Sequence, residues 1–164
     1  MNNQVMLPNR YTVVPRTLIF LFDGDSVLLL KGAPTKKIWA GLYNGVGGHV
    51  EKGEDILSSA RREVLEETGL QVEDLELAGI IMIDTEKEQC ICGFVFRGSH
   101  CTGTPISSDE GELEWVSMHE FNRFPLVEDL PIILPRIWQK KDDEEPFYAI
   151  YSYDSKGRLS IRMG

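Results

Sequence analysis

Residues 48–70 read Gly48-His49-Val50-Glu51-Lys52-Gly53-Glu54-Asp55-Ile56-Leu57-Ser58-Ser59-Ala60-Arg61-Arg62-Glu63-Val64-Leu65-Glu66-Glu67-Thr68-Gly69-Leu70. The spacing predicts a helix over Ile56–Thr68, with Asp55 at the N-cap and Gly69 just past the C-terminus. At about 100° per residue, Ile56, Leu57, Ala60 and Val64 fall on one apolar arc. Glu67 falls inside that arc, Glu63 at its edge and Glu66 a little further round. Glu63 and Glu67 are an i,i+4 like-charge pair, and a helix C-terminus is the wrong end for anions. Two carboxylates about 5 Å apart, at an effective dielectric near 20, repel by about 3 kcal/mol. A dication between them would reverse the sign, and hard oxygen ligands select Mg²⁺ or Mn²⁺ over zinc. Helix geometry alone leaves a solvated acidic face as the alternative, with Arg62–Glu66 a simple surface ion pair.

The wider pattern decides between them. The stretch resembles the box of the MutT/Nudix hydrolase family: Gly, five residues, Glu, seven residues, then Arg-Glu-U-x-Glu-Glu-x-Gly-U with U apolar. Gly48, Glu54, Arg62, Glu63, Val64, Glu66, Glu67, Gly69 and Leu70 match all nine specified positions. With roughly 6% usage per fixed position, a chance match is well below about one in a million. The resemblance implies a loop-helix-loop that holds a divalent metal against a diphosphate. Carried over by position, Glu63, Glu66 and Glu67 become metal ligands, joined by the carbonyl of Gly48 or Gly47. Arg62 orients Glu63, Glu54 braces the loop, and Glu63 is the first choice of base. Water made nucleophilic by the metal then attacks phosphorus. Family enzymes usually add a carboxylate from outside the box. Ser107-Ser108-Asp109-Glu110 resembles that motif, making Glu110 the candidate further ligand or base, with Glu112 next and Asp109 third.

Substrate residues follow from a narrower likeness. Asn44-Gly45-Val46-Gly47-Gly48 resembles the form found in oxidised-purine nucleoside triphosphate diphosphatases, which remove 8-oxo-dGTP-type nucleotides. There an Asn and an acidic residue on the late helix read the base edge. Asn44 matches the first, although Asn-Gly is also an ordinary turn pair. Asp129 is the candidate for the second and Glu128 the alternative. A buried amide and carboxyl are selective because a wrong base leaves polar groups unpaired. Residues 85–87 carry neither the Pro of ADP-ribose hydrolases nor the Tyr of dinucleoside polyphosphate hydrolases. Lys31, ending a strand, is a candidate phosphate contact or a solvated lysine. Trp39, Tyr43 and Phe94 are candidates for stacking on a base or for packing, and Trp115 and Trp138 read as core. His49, His100 and His119 show no metal-ligand spacing.

Outward from the box, residues 12–22 and 26–31 read as a hairpin turned at 23–25. Residues 32–48 read as loop, with five glycines and Pro34. Residues 70–84 and 89–97 read as strands around the polar 85–88, residues 100–111 as loop, and 112–117 as a short strand. A helical stretch lies within 118–139, broken or started by Pro125, Pro131 and Pro135. Residues 140–146 read as a linker, and Phe147–Tyr153 with 158–163 as a C-terminal hairpin. The expected fold is α+β: a Nudix-like α/β/α sandwich, a mixed curved sheet with the motif helix and a late helix on its faces. One Nudix hydrolase domain, 1–164, accounts for the length.

Composition narrows the function classes. The chain has 164 residues and a formal net charge of −9. That balance opposes binding a nucleic-acid polymer through its phosphates, but not a small anionic nucleotide screened by a dication. The polar stretch 1–10 lacks the pattern of a secretory signal, no apolar run has membrane-spanning length, and three cysteines read as reduced thiols. These features predict a cytoplasmic protein acting on a small-molecule nucleotide, with no membrane partner, as monomer or homodimer. The expected activity is Mg-dependent hydrolysis of a nucleoside triphosphate, with an oxidised purine such as 8-oxo-dGTP as candidate, to nucleoside monophosphate and pyrophosphate. The alternatives are a Nudix hydrolase of a nucleotide sugar or other nucleoside diphosphate derivative, and a non-catalytic nucleotide sensor on the same fold.

Overall fold

In the computed structural model, residues 10–85 and 89–164 are described. The polar N-terminal stretch and the subclass positions 86 and 87 therefore fall largely outside the described residues. β1 (Thr12–Asp23) turns at Gly24 into β2 (Ser26–Gly32), the expected hairpin. Then follow β3 (Tyr43–Asn44), α1 (Ile56–Thr68), β4 (Gln71–Val72), β5 (Glu76–Ile83), β6 (Gln89–Gly98) and β7 (Cys101–Thr102). β8 (Gly111–Ser117), α2 (Leu130–Gln139), β9 (Phe147–Tyr153) and β10 (Leu159–Met163) complete the chain. The main sheet runs β10-β9-β5-β6-β1-β2-β3, with β8 on the other side of β2. It is mixed: β1 runs parallel to β6 and β5 parallel to β9, while the other pairs are antiparallel.

The period-two alternation of β1 explains the layering. Ile19 and Leu21 pack with Ala60 and Val64 of α1. Phe20 and Phe22 pack on the opposite side with Leu130, Ile133, Leu134 and Ile137 of α2. A strand buried on both faces reads as a nearly continuous apolar run, as residues 17–22 do. The two-faced sandwich and the C-terminal hairpin β9–β10 are thus as expected.

Two local expectations are corrected. Residues 70–84 are not one strand: the Asp74 carboxylate accepts from the Ser99 and His100 amides and holds a turn between β4 and β5, and β4 pairs with β7 instead. The helical stretch expected within 118–139 is present as Leu130–Gln139, with Pro131 in its first turn and a short 3-10 turn at Phe121–Arg123 before it. The intervening segment is stitched to β3, with Tyr43 N donating to Pro125 O (2.8 Å) and Val127 N to Tyr43 O (3.1 Å). Trp115 is 39% exposed on the outer strand β8, whereas Trp138 is packed against the α2-side core.

One departure from a plain sheet creates the site. β1 and β2 pair only at Leu21–Leu28, Phe22–Val27 and Asp23–Ser26 before diverging. β3 and the glycine loop after it enter the gap. Ile19 N donates to Val46 O (2.7 Å) and Thr17 N to Gly48 O (2.8 Å).

Candidate active site

The helix carrying the glutamates is built as its residues predict. The Asp55 carboxylate accepts from the amides of Leu57 and Ser58, each at 2.9 Å. Gly69 takes a left-handed conformation (φ 72°) and returns its amide to Leu65 O. The buried face includes Ala60 and Val64 and continues through Glu63 and Glu67, each 9% exposed. Glu66 stays on the exposed side, so the three carboxylates are not equally gathered.

Arg62 is the centre of the polar network. Its Nε donates to Glu54 Oε1 at 2.8 Å and its Nη2 to Glu54 Oε2 at 3.0 Å, a two-point clasp. Nη1 donates to Glu63 Oε1 (2.9 Å) and Glu66 Oε2 (3.0 Å), and Nη2 also reaches His49 O (3.0 Å). This clasp pulls the Glu54 carboxyl down to about 2 and raises Arg62 well above its ordinary value. The expected bracing by Glu54 and orientation of Glu63 by Arg62 are both present as geometry.

Glu67 accepts from Gly47 N at 3.0 Å. Burial pushes its carboxyl up to about 7, against that hydrogen bond, and the nearby Glu63 charge adds to the rise while Lys36 and Arg16 oppose it. Gly48 abuts Glu63 so closely that a β-carbon there would sit 2.7 Å from Glu63 Cδ. Thr17 Oγ1, beside this loop, is buried without a hydrogen-bond partner.

These observations test the fit of a hard dication. The donors are all oxygen, two carboxylates are desolvated side by side, and the Gly48 carbonyl keeps one lone pair beyond its bond from Thr17. Among the described residues, no three His, Cys, Asp or Glu side chains are yet grouped as a metal site. The reason is visible: Glu66 is turned to Arg62, and Glu110 is paired with Lys36. The chemistry fits, with Glu66 and Glu110 engaged by cations rather than by one another.

A cavity of about 410 Å³ adjoins the loop. Its floor on the sheet is apolar, from Leu18, Ile81, Ile83, Ile91 and Val95. Its polar lining includes Gly47, Glu67, Glu110, Lys36 and Arg16, a second group of Asp129, Glu128, Tyr151 and Tyr153, and Asn44. The stitch between β3 and residues 125–127 is what brings Asn44 and Asp129 to one cavity. Asp129 is held by Tyr151, whose hydroxyl donates to Oδ2 at 3.1 Å, and burial raises its carboxyl. Glu128 is exposed, 3.4 Å from the Leu159 amide.

Other expected residues lie elsewhere. Lys31 does not line the cavity; its ammonium stands 5.9 Å from the centroid of the Tyr43 ring. Tyr43 itself is buried, edge-on to Phe124, with its hydroxyl donating to Glu114 at 2.5 Å. Phe94 packs on the α1 side, whereas Trp39 lines the cavity and is 46% exposed. Asp109 and Glu112 are exposed and outside the lining. Sequence reasoning missed Arg16, Lys36 and Tyr151. Lys36 sits in a loop without periodicity, and the strand alternation that places Tyr151 inward does not disclose its partner.

Comparison with known proteins is in keeping with this geometry. Residues 12–137 match the model of the NUDIX domain family. The mouse oxidized purine nucleoside triphosphate hydrolase is 33% identical over 126 residues, covering 76% of this chain and 80% of that protein. The zebrafish protein of the same name is 34% identical with the same coverage. Among solved structures, a mutator MutT protein from Bacillus halodurans superposes with a TM-score of 0.78 at 29% identity, covering 92% of this chain and 97% of that one.

Proposed function

Because the chain belongs to the NUDIX family, and is a hydrolase of that family, we propose that it cleaves a phosphoanhydride of a purine nucleoside triphosphate, releasing nucleoside monophosphate and pyrophosphate. The single observation that carries this reading is one cavity, apolar along its floor, whose lining joins the Asn44 amide and the Asp129 carboxyl to Gly47 and Glu67 of the glutamate loop. An oxidised purine is the favoured base, in line with what the mouse and zebrafish relatives are named for.

Glu63, Glu66, Glu67, Glu110 and the Gly48 carbonyl are the groups that would hold Mg²⁺ or Mn²⁺. When bound, a dication supplies charge neutralisation on the diphosphate oxygens and a more acidic water. The chain's own residues do the rest. Arg62 holds Glu63 in one orientation through a 2.9 Å bond, so that its carboxylate can take a proton from water. The Gly47 amide fixes Glu67. Lys36 and Arg16 are the cations lining the cavity, and they oppose phosphate repulsion at the glutamate loop. The apolar floor accepts the flat face of a base and excludes water from it.

One domain, 1–164, carries the whole activity, on a small nucleotide rather than a polymer. No helix among the described residues is long and apolar enough to cross a membrane. Cys90, Cys92 and Cys101 are free thiols, which suits the reducing cytoplasm where a nucleotide pool is found. The test is a panel of nucleoside triphosphates, their oxidised forms and nucleotide sugars with Mg²⁺, scored for pyrophosphate against orthophosphate. Pyrophosphate from an oxidised purine triphosphate is the expected result. Turnover of nucleotide sugars alone would overturn it, and binding without turnover of any diphosphate would mark a sensor.

A further inference from the structure

A free carboxyl group is a poor reader of a base edge. It can rotate, and when protonated it can carry the proton on either oxygen, so it offers a ligand several patterns. At Asp129, in the wall of the cavity, this freedom is restricted. Tyr151, on β9, is 3% exposed, and its hydroxyl donates to Asp129 Oδ2 at 3.1 Å. Burial and the Asp129 charge push this phenol well above its ordinary value, so it keeps its proton and remains a donor. Oδ2 already holds one donor, so Oδ1 is the more open oxygen for a ligand.

Asn44 is fixed in the same sense. Its Oδ1 accepts from Gly45 N at 2.8 Å, which leaves the Nδ2 hydrogens as the free donors of that side chain. Both Asn44 and Asp129 line the cavity. Of the other ionisable groups near Asp129, Tyr153 comes from β9 and Glu128 from the same segment, and neither is hydrogen-bonded to its carboxyl.

We propose that Tyr151 is a positioning residue that sets base selectivity, holding Asp129 so that a single carboxyl oxygen meets the purine edge whose other contact is the Asn44 amide. The proposal rests on the nucleotide reading above and names the edge that site accepts. Ionised Asp129 accepts at Oδ1. Protonated Asp129, with Oδ2 kept as the acceptor of the phenol hydrogen, carries its proton on Oδ1 and donates from there. One atom thus changes from acceptor to donor with pH, and purines presenting NH or carbonyl at that point separate accordingly.

The experiment is calorimetric binding of 8-oxo-dGMP, dGMP and dAMP at pH 5.5, 7.0 and 8.5 to the whole chain, its Tyr151→Phe and Asp129→Asn variants, and the double variant. Tyr151→Phe keeps the ring that packs in the core, so thermal melts should stay close to wild type. The expected result is about 10-fold weaker binding of the preferred monophosphate, a narrower spread among the three, and a pH midpoint moved upward because the carboxylate has lost a donor. In the Asp129→Asn background, Tyr151→Phe should change affinity by less than about two-fold. Uniform weakening of all three with an unmoved midpoint would overturn the proposal. So would an undiminished effect without Asp129, or no binding of any monophosphate. These readouts follow product binding, so a chain that binds monophosphates selectively but hydrolyses no triphosphate would overturn the activity and leave this assignment standing.

Discussion

Gly48 and Glu63 touch across the loop-helix junction so tightly that the carboxylate occupies the place a side chain on Gly48 would need. The neighbouring Gly47 is constrained differently: its φ is 146°, and a β-carbon there would meet Thr17 backbone, with the carbonyl carbon at 2.8 Å. The two glycines should therefore fail in different ways. Gly47→Ala should cost about 3 kcal/mol of stability, since backbone cannot step aside. Gly48→Ala should leave stability within about 1 kcal/mol but displace Glu63, lowering kcat at least about 10-fold. Denaturant melts and turnover of the two proteins side by side check this.

Glu67 links the site to pH. Its native carboxyl, at about 7, lies above the unfolded value of 4.5, so the native state holds the proton more tightly. The resulting stabilisation is complete below about pH 4.5 and is lost as pH rises through 7, by at most about 3 kcal/mol. The metal-free protein should melt at lower temperature at pH 7.5 than at pH 5. Glu67→Gln should flatten that dependence without destabilising the fold at pH 7.5, and lower kcat by about 10²-fold or more. Millimolar Mg²⁺ should raise the wild-type melting temperature at pH 7.5 far more than that of the variant.

Arg62 holds Glu54, Glu63 and Glu66 together, so its loss should be felt twice. Arg62→Lys keeps the charge but not the two-point clasp on Glu54. We expect a loss of about 1–2 kcal/mol in stability and about 10- to 100-fold in kcat, with KM changed much less. A KM effect alone would contradict its role in orienting Glu63.

Of the three acidic residues around the second loop, only Glu110 lines the cavity. Glu110→Gln should reduce kcat about 10-fold or more, whereas Asp109→Asn and Glu112→Gln should stay within about two-fold. Steady-state kinetics on the three variants distinguishes them.

The helix, its caps and its buried acids were legible because each depends on near neighbours in the chain. Asp55 caps amides two and three residues on, and Glu63 and Glu67 are placed by helical period alone. The hairpin at residues 23–25 and the two-faced strand β1 follow from equally local patterns. What stayed hidden is long-range. Nothing in residues 125–127 announces that they bond to Tyr43, far back in the chain. Lys36 has no periodic context, and its partner is 74 residues away. Lys31 ends a strand as expected, yet its side chain goes to an aromatic ring rather than to the cavity.

The glycine loop is sewn to the edge of β1 by Thr17–Gly48 and Ile19–Val46 backbone bonds, so this wall of the candidate site is sheet rather than an appended flap. Amide hydrogens of residues 46 and 19 should exchange with solvent no faster than those of the central strands, and only when the domain opens as a whole. Any ligand that grips the loop would then brace the entire scaffold, and any lesion that loosens β1 would blunt the chemistry before it unfolds the protein.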